Sequence, residues 1–329
     1  MSDHPKTYRA AQISQKGGKF EIVNKDWKDP EPGHVVVKVE ACGICHSDSI
    51  VINQAMPTGL PRIPGHEIIG KIAAVPADEK VFKVGDRCLS CRRGDFVTCA
   101  NQVINGISVD GGYAEYATLR TEALSRVPAE SDAAEIAALL CAGVTVYNSL
   151  RHMKILPGEI CAVQGVGGLG HLALQFSKKM GYKTVALSQN DRKAQLAQEL
   201  GADIYLDASK VDQVEELNKL GGAKVIIVVA PSGKAMAELI PALSVDGQLV
   251  VLAVPHDGLT VNAMHLIQKR RSIVGWPSGT AQDSEETIAF AEHAGVKTSI
   301  ENFSLDQVQE GFDRMSENKV RFRAVLAFD

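Results

Sequence analysis

"AVQGVGGLG", residues 162–170, decides how this chain folds. Gly165, Gly167 and Gly170 stand in G-x-G-x-x-G register. Before them, "EICAVQ" reads as a buried strand; after them, "GGLGHLALQFSKKM" reads as a helix closed by Gly181. A glycine loop joining a strand to a helix is the fingerprint of a dinucleotide-binding βαβ unit. Gly165 lets the chain turn, Gly167 lets backbone approach a pyrophosphate, and Gly170 lets helix and strand pack closely. Gly168 and Leu169 complete the loop, and free N–H groups at the helix start hold the anion.

Downstream the alternation continues. "KTVALS", "DIYLD", "KVIIVVA" and "QLVVLAV" are strand-sized apolar runs, separated by the helical segments "RKAQLAQEL", "VDQVEELNKL" and "KAMAELIPAL". This rhythm predicts a doubly wound parallel sheet of the Rossmann type. The residue ending its second strand reports the nucleotide, because a carboxylate there grips the ribose of NAD and repels the 2′-phosphate of NADP. Here that residue is Ser188; Asp191 lies too far along, whereas Arg192 and Lys193 suit a phosphate. The expected cofactor is therefore NADP, with NAD as the alternative if Arg192 and Lys193 are merely solvated helix residues.

Upstream the texture differs. "KFEIVN", "HVVVKVEA" and "IIGKIAAV" are β-branched runs cut by Pro and Gly, which suggests an antiparallel β-domain with long loops. A helix then opens at "SDAAEIAALL", with Ser131 as its expected cap. After "SIVGWPSGT" the strand–helix rhythm stops, leaving a helix with Ser284 near its start, another opening at Ser304, and a last strand "RFRAVLAF". This tail is expected to fold back on the β-domain. The expected boundaries are 1–142 for the β-domain, 143–277 for the nucleotide domain, and 278–329 for the part that completes the first.

The 329 residues carry a net charge of −4, with 45% hydrophobic and 22% charged side chains. No basic field argues for nucleic acid or an anionic membrane. The longest apolar runs are too short to span a bilayer, and "MSDHPKTYRAAQ" shows no secretory core. A cytoplasmic protein is expected. Its seven cysteines, several of them clustered, favour metal ligation over disulfides in that setting.

Three clusters of ligand-type residues stand out: "ACGICHSD" (Cys42, Cys45, His46, Ser47, Asp48), "PGHEIIG" (His66, Glu67) and "LLCAGVTVY" (Cys141). Two cysteines with one histidine is a recognised catalytic zinc set, leaving a fourth position open. Taken in order, "CGICHSD", "GHEIIG", "DGGYAEYATL", "LLCAGVTVYNSL" and "GVGGLG" resemble the zinc-dependent alcohol dehydrogenases of the medium-chain dehydrogenase/reductase superfamily. The resemblance spans nearly the whole chain. It implies a GroES-like β-barrel catalytic domain with a Rossmann domain inserted before the C-terminal tail.

By this resemblance Cys45, His66 and Cys141 are the catalytic zinc ligands, and Glu67 is a carboxylate near the metal. Asp48 orients His66, and Ser47 hydrogen-bonds the substrate oxygen and starts a proton relay. His46 and Arg323 touch the cofactor pyrophosphate, while Thr145 and the backbone near Val254 hold the nicotinamide carboxamide. The implied reaction moves a hydride between NADP(H) and an alcohol/aldehyde or ketone pair. Cys42 and Cys161 read as packing thiols, and His171 as a helix residue near the cofactor.

"GDRCLSCRRGDFVTC", residues 85–99, holds Cys88, Cys91 and Cys99. Many relatives carry a structural zinc on C-x2-C-x2-C-x7-C, and these three match its last three positions. A segment containing the first cysteine is missing, so the lobe is read as an incomplete structural zinc site. Ile50 also stands where several relatives place a relay histidine. Two other readings stay open at this stage. One is a zinc-independent reductase of the same superfamily; the other is a zinc-depleted, inactive paralogue that binds NAD(P). A small-molecule substrate and a homodimer or homotetramer are expected, with sheet edges such as that around Ile273 as contacts.

Overall fold

The computed structural model describes residues 4–76, 95–99, 102–255 and 257–328. They divide into two units, one of Met1–Cys141, Gly279–Ile288 and Thr298–Asp329, the other of Ala142–Ser278 and Ala289–Lys297.

The first unit opens with an antiparallel pair, β1 (Thr7–Gln12) and β2 (Glu21–Asp26). The long β3 (His34–Ile44) then pairs antiparallel with both β4 (Glu67–Ala74) and β5 (Tyr116–Arg120). Helix α1 (Ser49–Asn53) follows a tight 3₁₀ turn, His46–Asp48, and α2 (Ala133–Ala137) follows β5. Ser131 is not the cap of α2. Asp132, one residue on, accepts from the amides of Ala134 (2.8 Å) and Glu135 (3.1 Å), the donors an N-cap must satisfy.

In the second unit, α3 (Val144–His152) precedes six strands and their helices. These are β6 (Ile160–Gln164), α4 (Gly170–Lys179), β7 (Lys183–Ser188), α5 (Ala194–Glu199), β8 (Ile204–Asp207) and α6 (Gln213–Lys219). Then come β9 (Ala223–Val228), α7 (Gly233–Glu238), β10 (Leu243–Val251), α8 (Ala263–Ile267) and β11 (Ser272–Gly275). The strands form one parallel sheet in the order β11-β10-β9-β6-β7-β8. A parallel sheet covered on both faces needs strands without polar alternation. Accordingly Val225, Ile226, Ile227 and Val228 are all fully buried, each contributing about 1.5–3 kcal/mol.

Strand order reverses between β6 and β9, the crevice where ligands of such sheets bind. The glycine loop leaves β6 at this point. Gly165 has φ +96°, and a Cβ on Gly170 would fall 1.9 Å from the Gly165 carbonyl oxygen. A Cβ on Gly167 would meet nothing within 4 Å, so that stretch of backbone is open to approach.

The tail comprises α9 (Ala281–Ala294), β12 (Ile300–Phe303), α10 (Val308–Ser316) and β13 (Arg323–Ala327). β13 lies antiparallel against β3 and parallel to β12, so the C-terminus completes the first unit's sheet. The expected boundary at 278 needs one amendment: Ala289–Lys297 belong with the second unit. Phe290 packs on Tyr147 at a ring distance of 4.8 Å, and the Gln175 side-chain amide brackets Lys297 through its N–H (2.9 Å) and carbonyl (2.8 Å). The helical run Ala133–His152 is long and apolar enough to cross a bilayer, but it is 72% buried within the protein, as a core helix would be.

Candidate metal centre

Three separate elements bring four ligand-type side chains together. Cys45 follows the end of β3, His66 immediately precedes β4, and Glu67 begins β4 opposite Gly43. Cys141 sits in a π-helical turn, Leu139–Gly143, between α2 and α3. Such widened turns frequently mark functional positions because they re-aim a side chain that a regular helix would bury.

The ligand atoms of Cys45, His66, Glu67 and Cys141 all lie within 4.8 Å of one another. The two sulfurs are 3.9 Å apart. Two thiolates at about 2.3 Å from a tetrahedral zinc stand about 3.8 Å apart, so the donors are spaced, as well as chosen, for that ion.

Asp48 stands behind this cluster and is fully buried. Its Oδ1 accepts from His66 Nδ1 (3.1 Å) and the Gly65 amide (3.3 Å). Its Oδ2 accepts from the Cys45 amide (2.9 Å) and the Tyr113 hydroxyl (2.6 Å). A carboxylate surrounded by four donors fixes the proton of His66 on Nδ1 and turns Nε2 toward the thiols, the arrangement metal-binding histidines regularly use.

The electrostatics follow from burial and proximity. A hydrogen bond from Cys141 holds the Cys45 thiol well below its ordinary pKa against burial, with His66 and Arg323 adding to the effect. Cys141 is raised well above its ordinary value by that same bond and by burial, so the pair shares one proton. Burial would lower His66, but the charge and hydrogen bond of Asp48 raise it well above its usual range. Glu67 is pushed up by burial to about 7, although Arg323 pulls the other way.

Arg323 pairs with Glu67 beside the cluster. It is buried in the first unit, and its guanidinium donates to Glu67 Oε1. Glu67 takes one N–H of this guanidinium, while the buried Nε finds no partner among the described residues, so the arginine keeps a donor for a further acceptor. Gly43 makes room for the pair, since a Cβ there would fall 1.9 Å from Glu67 Oε2.

Around this centre Ser47 is half-buried in the 3₁₀ turn, His46 is exposed, and Ile50 is half-buried in α1. Cys42 is fully buried with its thiol raised well above the ordinary range, and Cys161 is likewise buried and raised to about 12, as packing thiols should be. Cys99 ends a short 3₁₀ turn, Phe96–Thr98; Cys88 and Cys91 lie outside the described residues.

In the second unit Ser188 ends β7, Thr145 is buried near the start of α3, and Val254 beyond β10 is 85% exposed. Arg192 is exposed. Lys193, beside it, donates through Nζ to the Val166 carbonyl of the glycine loop at 2.6 Å. His171 is fully buried and its Nδ1 lies 3.1 Å from the Gly167 carbonyl.

Sequence reasoning missed three contributors: Tyr113, Gly43 and the π-helical turn. The first two were present in quoted motifs, "DGGYAEYATL" and "CGICHSD", but their neighbours are distant in sequence. The turn leaves no periodic signal in five residues.

The Alcohol dehydrogenase GroES-like domain model matches residues 31–129, and the Zinc-binding dehydrogenase model matches residues 168–293. Alcohol dehydrogenase patD of Penicillium expansum is 46% identical over 99% of both chains. Among solved structures, the cinnamyl alcohol dehydrogenase SbCAD4 of Sorghum bicolor is 28% identical with a TM-score of 0.85, covering 98% of each chain. A cobalt- and zinc-bound thermostable alcohol dehydrogenase of Pyrobaculum aerophilum is 25% identical with a TM-score of 0.84, covering 98% of this chain and 100% of that one. Together with the ligand cluster and the Rossmann sheet, these likenesses establish that the chain belongs to the zinc-type alcohol dehydrogenases of the medium-chain dehydrogenase/reductase family.

Proposed function

We propose that this chain is a zinc- and NADP-dependent alcohol dehydrogenase that reduces aldehydes, or oxidises the corresponding alcohols. The observation that carries the reading is the gathering of Cys45, His66, Cys141 and Glu67 ligand atoms within 4.8 Å. When bound, zinc supplies a Lewis acid for the carbonyl oxygen and the nicotinamide supplies the hydride.

The chain's own residues do the rest. Cys45, His66 and Cys141 hold the metal, and Asp48 keeps His66 in one tautomer. Ser47, two residues beyond Cys45, passes a proton at its Oγ to or from the substrate oxygen. With Ile50 in place of a relay histidine, that proton ends on water or on the cofactor ribose. In the second unit, amides at the start of α4 hold the pyrophosphate at the Gly165–Gly170 loop, and Thr145 and the backbone near Val254 receive the carboxamide.

The preference for NADP is supported by Ser188 at the end of β7, where NAD-binding chains need a carboxylate. The nearby Asp191 is tied to Lys210 Nζ at 2.7 Å, while Arg192 has no side-chain ion-pair or hydrogen-bond partner among the described residues. Lys193 contributes by clasping the glycine loop. A dimer or tetramer assembled through β11, the strand at one edge of the sheet, would pair that edge. The alcohol/aldehyde assignment draws on membership of the alcohol dehydrogenase family.

The test is elemental analysis of protein purified without chelator, paired with NADPH-dependent aldehyde reduction. About one zinc per chain, lost together with activity on chelation, is expected for a single three-ligand site. A folded protein that binds NADPH but no zinc would overturn the reading.

A further inference from the structure

Next to His66 in sequence, two loops are joined backbone to backbone. The amides of Gly111, Gly112 and Tyr113 donate to the carbonyls of Ile63 (2.8 Å), Gly65 (2.8 Å) and Pro64 (3.0 Å). The approach is too close for side chains: a Cβ on Gly111 would fall 2.1 Å from the Gly65 carbonyl oxygen. Gly65 has φ +97°, and a Cβ there would fall 2.5 Å from the Tyr113 ring. The segment that carries His66 is thus locked to the segment that carries Tyr113.

Tyr113 is 0% accessible, as is Asp48. Its hydroxyl donates to Asp48 Oδ2 at 2.6 Å across 65 residues of sequence. A buried phenol needs an acceptor for its O–H, and this one is aimed at the carboxylate that orients a metal ligand. Phenylalanine would fill the same space without the donor. The hydroxyl therefore acts on Asp48 and contributes little to packing.

We infer that Tyr113 is a positioning residue of the metal centre. Its hydroxyl, with the Cys45 amide, pins Asp48 Oδ2 so that Oδ1 faces His66 Nδ1. Removing it lets the carboxylate rotate and loosens the imidazole. The inference rests on the zinc reading above.

The test is zinc affinity, by competition with a chromophoric chelator, in wild type, Tyr113→Phe, Asp48→Asn and the double variant. Tyr113→Phe should raise the zinc dissociation constant on the order of 10-fold, as loss of a partner to a metal ligand usually does. In the Asp48→Asn background the same change should cost less than about 2-fold, because the effect passes through that carboxylate. A purely structural hydroxyl would instead lower the unfolding midpoint of zinc-free protein and leave zinc affinity within about 2-fold of wild type, which overturns the inference. Equal losses in both backgrounds would also overturn it. Should Tyr113→Phe not accumulate folded, Tyr113→Met, which adapts to irregular space, is read by the same titration. If the wild-type chain itself binds no zinc, both this inference and the proposed function fail; if it does, only the variants decide.

Discussion

Replacing Glu67 by glutamine should make the zinc-free protein relatively more stable as pH rises, although Glu67 is ion-paired to a buried arginine. Two effects compete at this carboxylate. Burial disfavours its charge, while Arg323 favours it, and burial wins because the carboxyl is pushed up to about 7. The sign follows from proton binding. Between the ordinary 4.5 and about 7 the folded state holds a proton that the unfolded state has released, so wild-type stability falls as pH rises through that window. Moving a carboxyl over that interval corresponds to about 3 kcal/mol.

Glutamine has the shape of the neutral acid and does not titrate. At pH 5 the variant and the wild type should therefore differ little; by pH 8 the variant should have gained about 3 kcal/mol on the wild type. The assay is urea unfolding of chelated protein across that range. The chain has two tryptophans, Trp27 in the first unit and Trp276 in the second. A Trp276→Phe background leaves Trp27 to report on the unit that contains Glu67. A flat difference, or one favouring wild type at pH 8, would show that the Arg323 pair outweighs burial and would refute the reasoning.

Other consequences are open to direct measurement. Zinc binding near pH 7 should expel about two protons, from His66 and Cys141, whose folded pKa values are raised, and none from the lowered Cys45; calorimetry in buffers of different ionisation enthalpy counts them, and affinity should fall as pH falls. Ser188→Asp should move the NADPH/NADH ratio of kcat/KM toward NADH on the order of 100-fold, since like charges in contact cost several kcal/mol; an unchanged ratio would remove Ser188 from nucleotide choice. Gly43→Ala should destabilise by about 1–3 kcal/mol through overpacking against Glu67, and adding Glu67→Ala should restore part of the loss in unfolding midpoint.

Much of this protein was legible in its residues. The loop 162–170, set between a β-branched run and an amphipathic one, was enough for the Rossmann sheet, because strand and helix periods and a tight glycine turn are local properties. The clusters around Cys45, His66 and Cys141 marked ligand chemistry by residue type and by the turns beside them. The return of the tail to the first sheet could be expected because "RFRAVLAF" had no partner left in the alternating region.

What residues alone did not reveal depends on atoms brought close from far along the chain. Arg323 lies 256 residues from Glu67, and their pairing exists only because β13 is laid beside β3. The charge of Lys193 suits a phosphate, but that its amine meets the Val166 carbonyl of the glycine loop follows from the fold alone. Tyr113 looked like one aromatic in a loop motif until the backbone junction at Gly65 and Gly111 placed its hydroxyl on Asp48. Sequence periodicity encodes which face of an element is buried; the partner of a buried polar group is set by three-dimensional packing, because hydrogen bonds and charges act over a few ångströms whatever their separation in sequence.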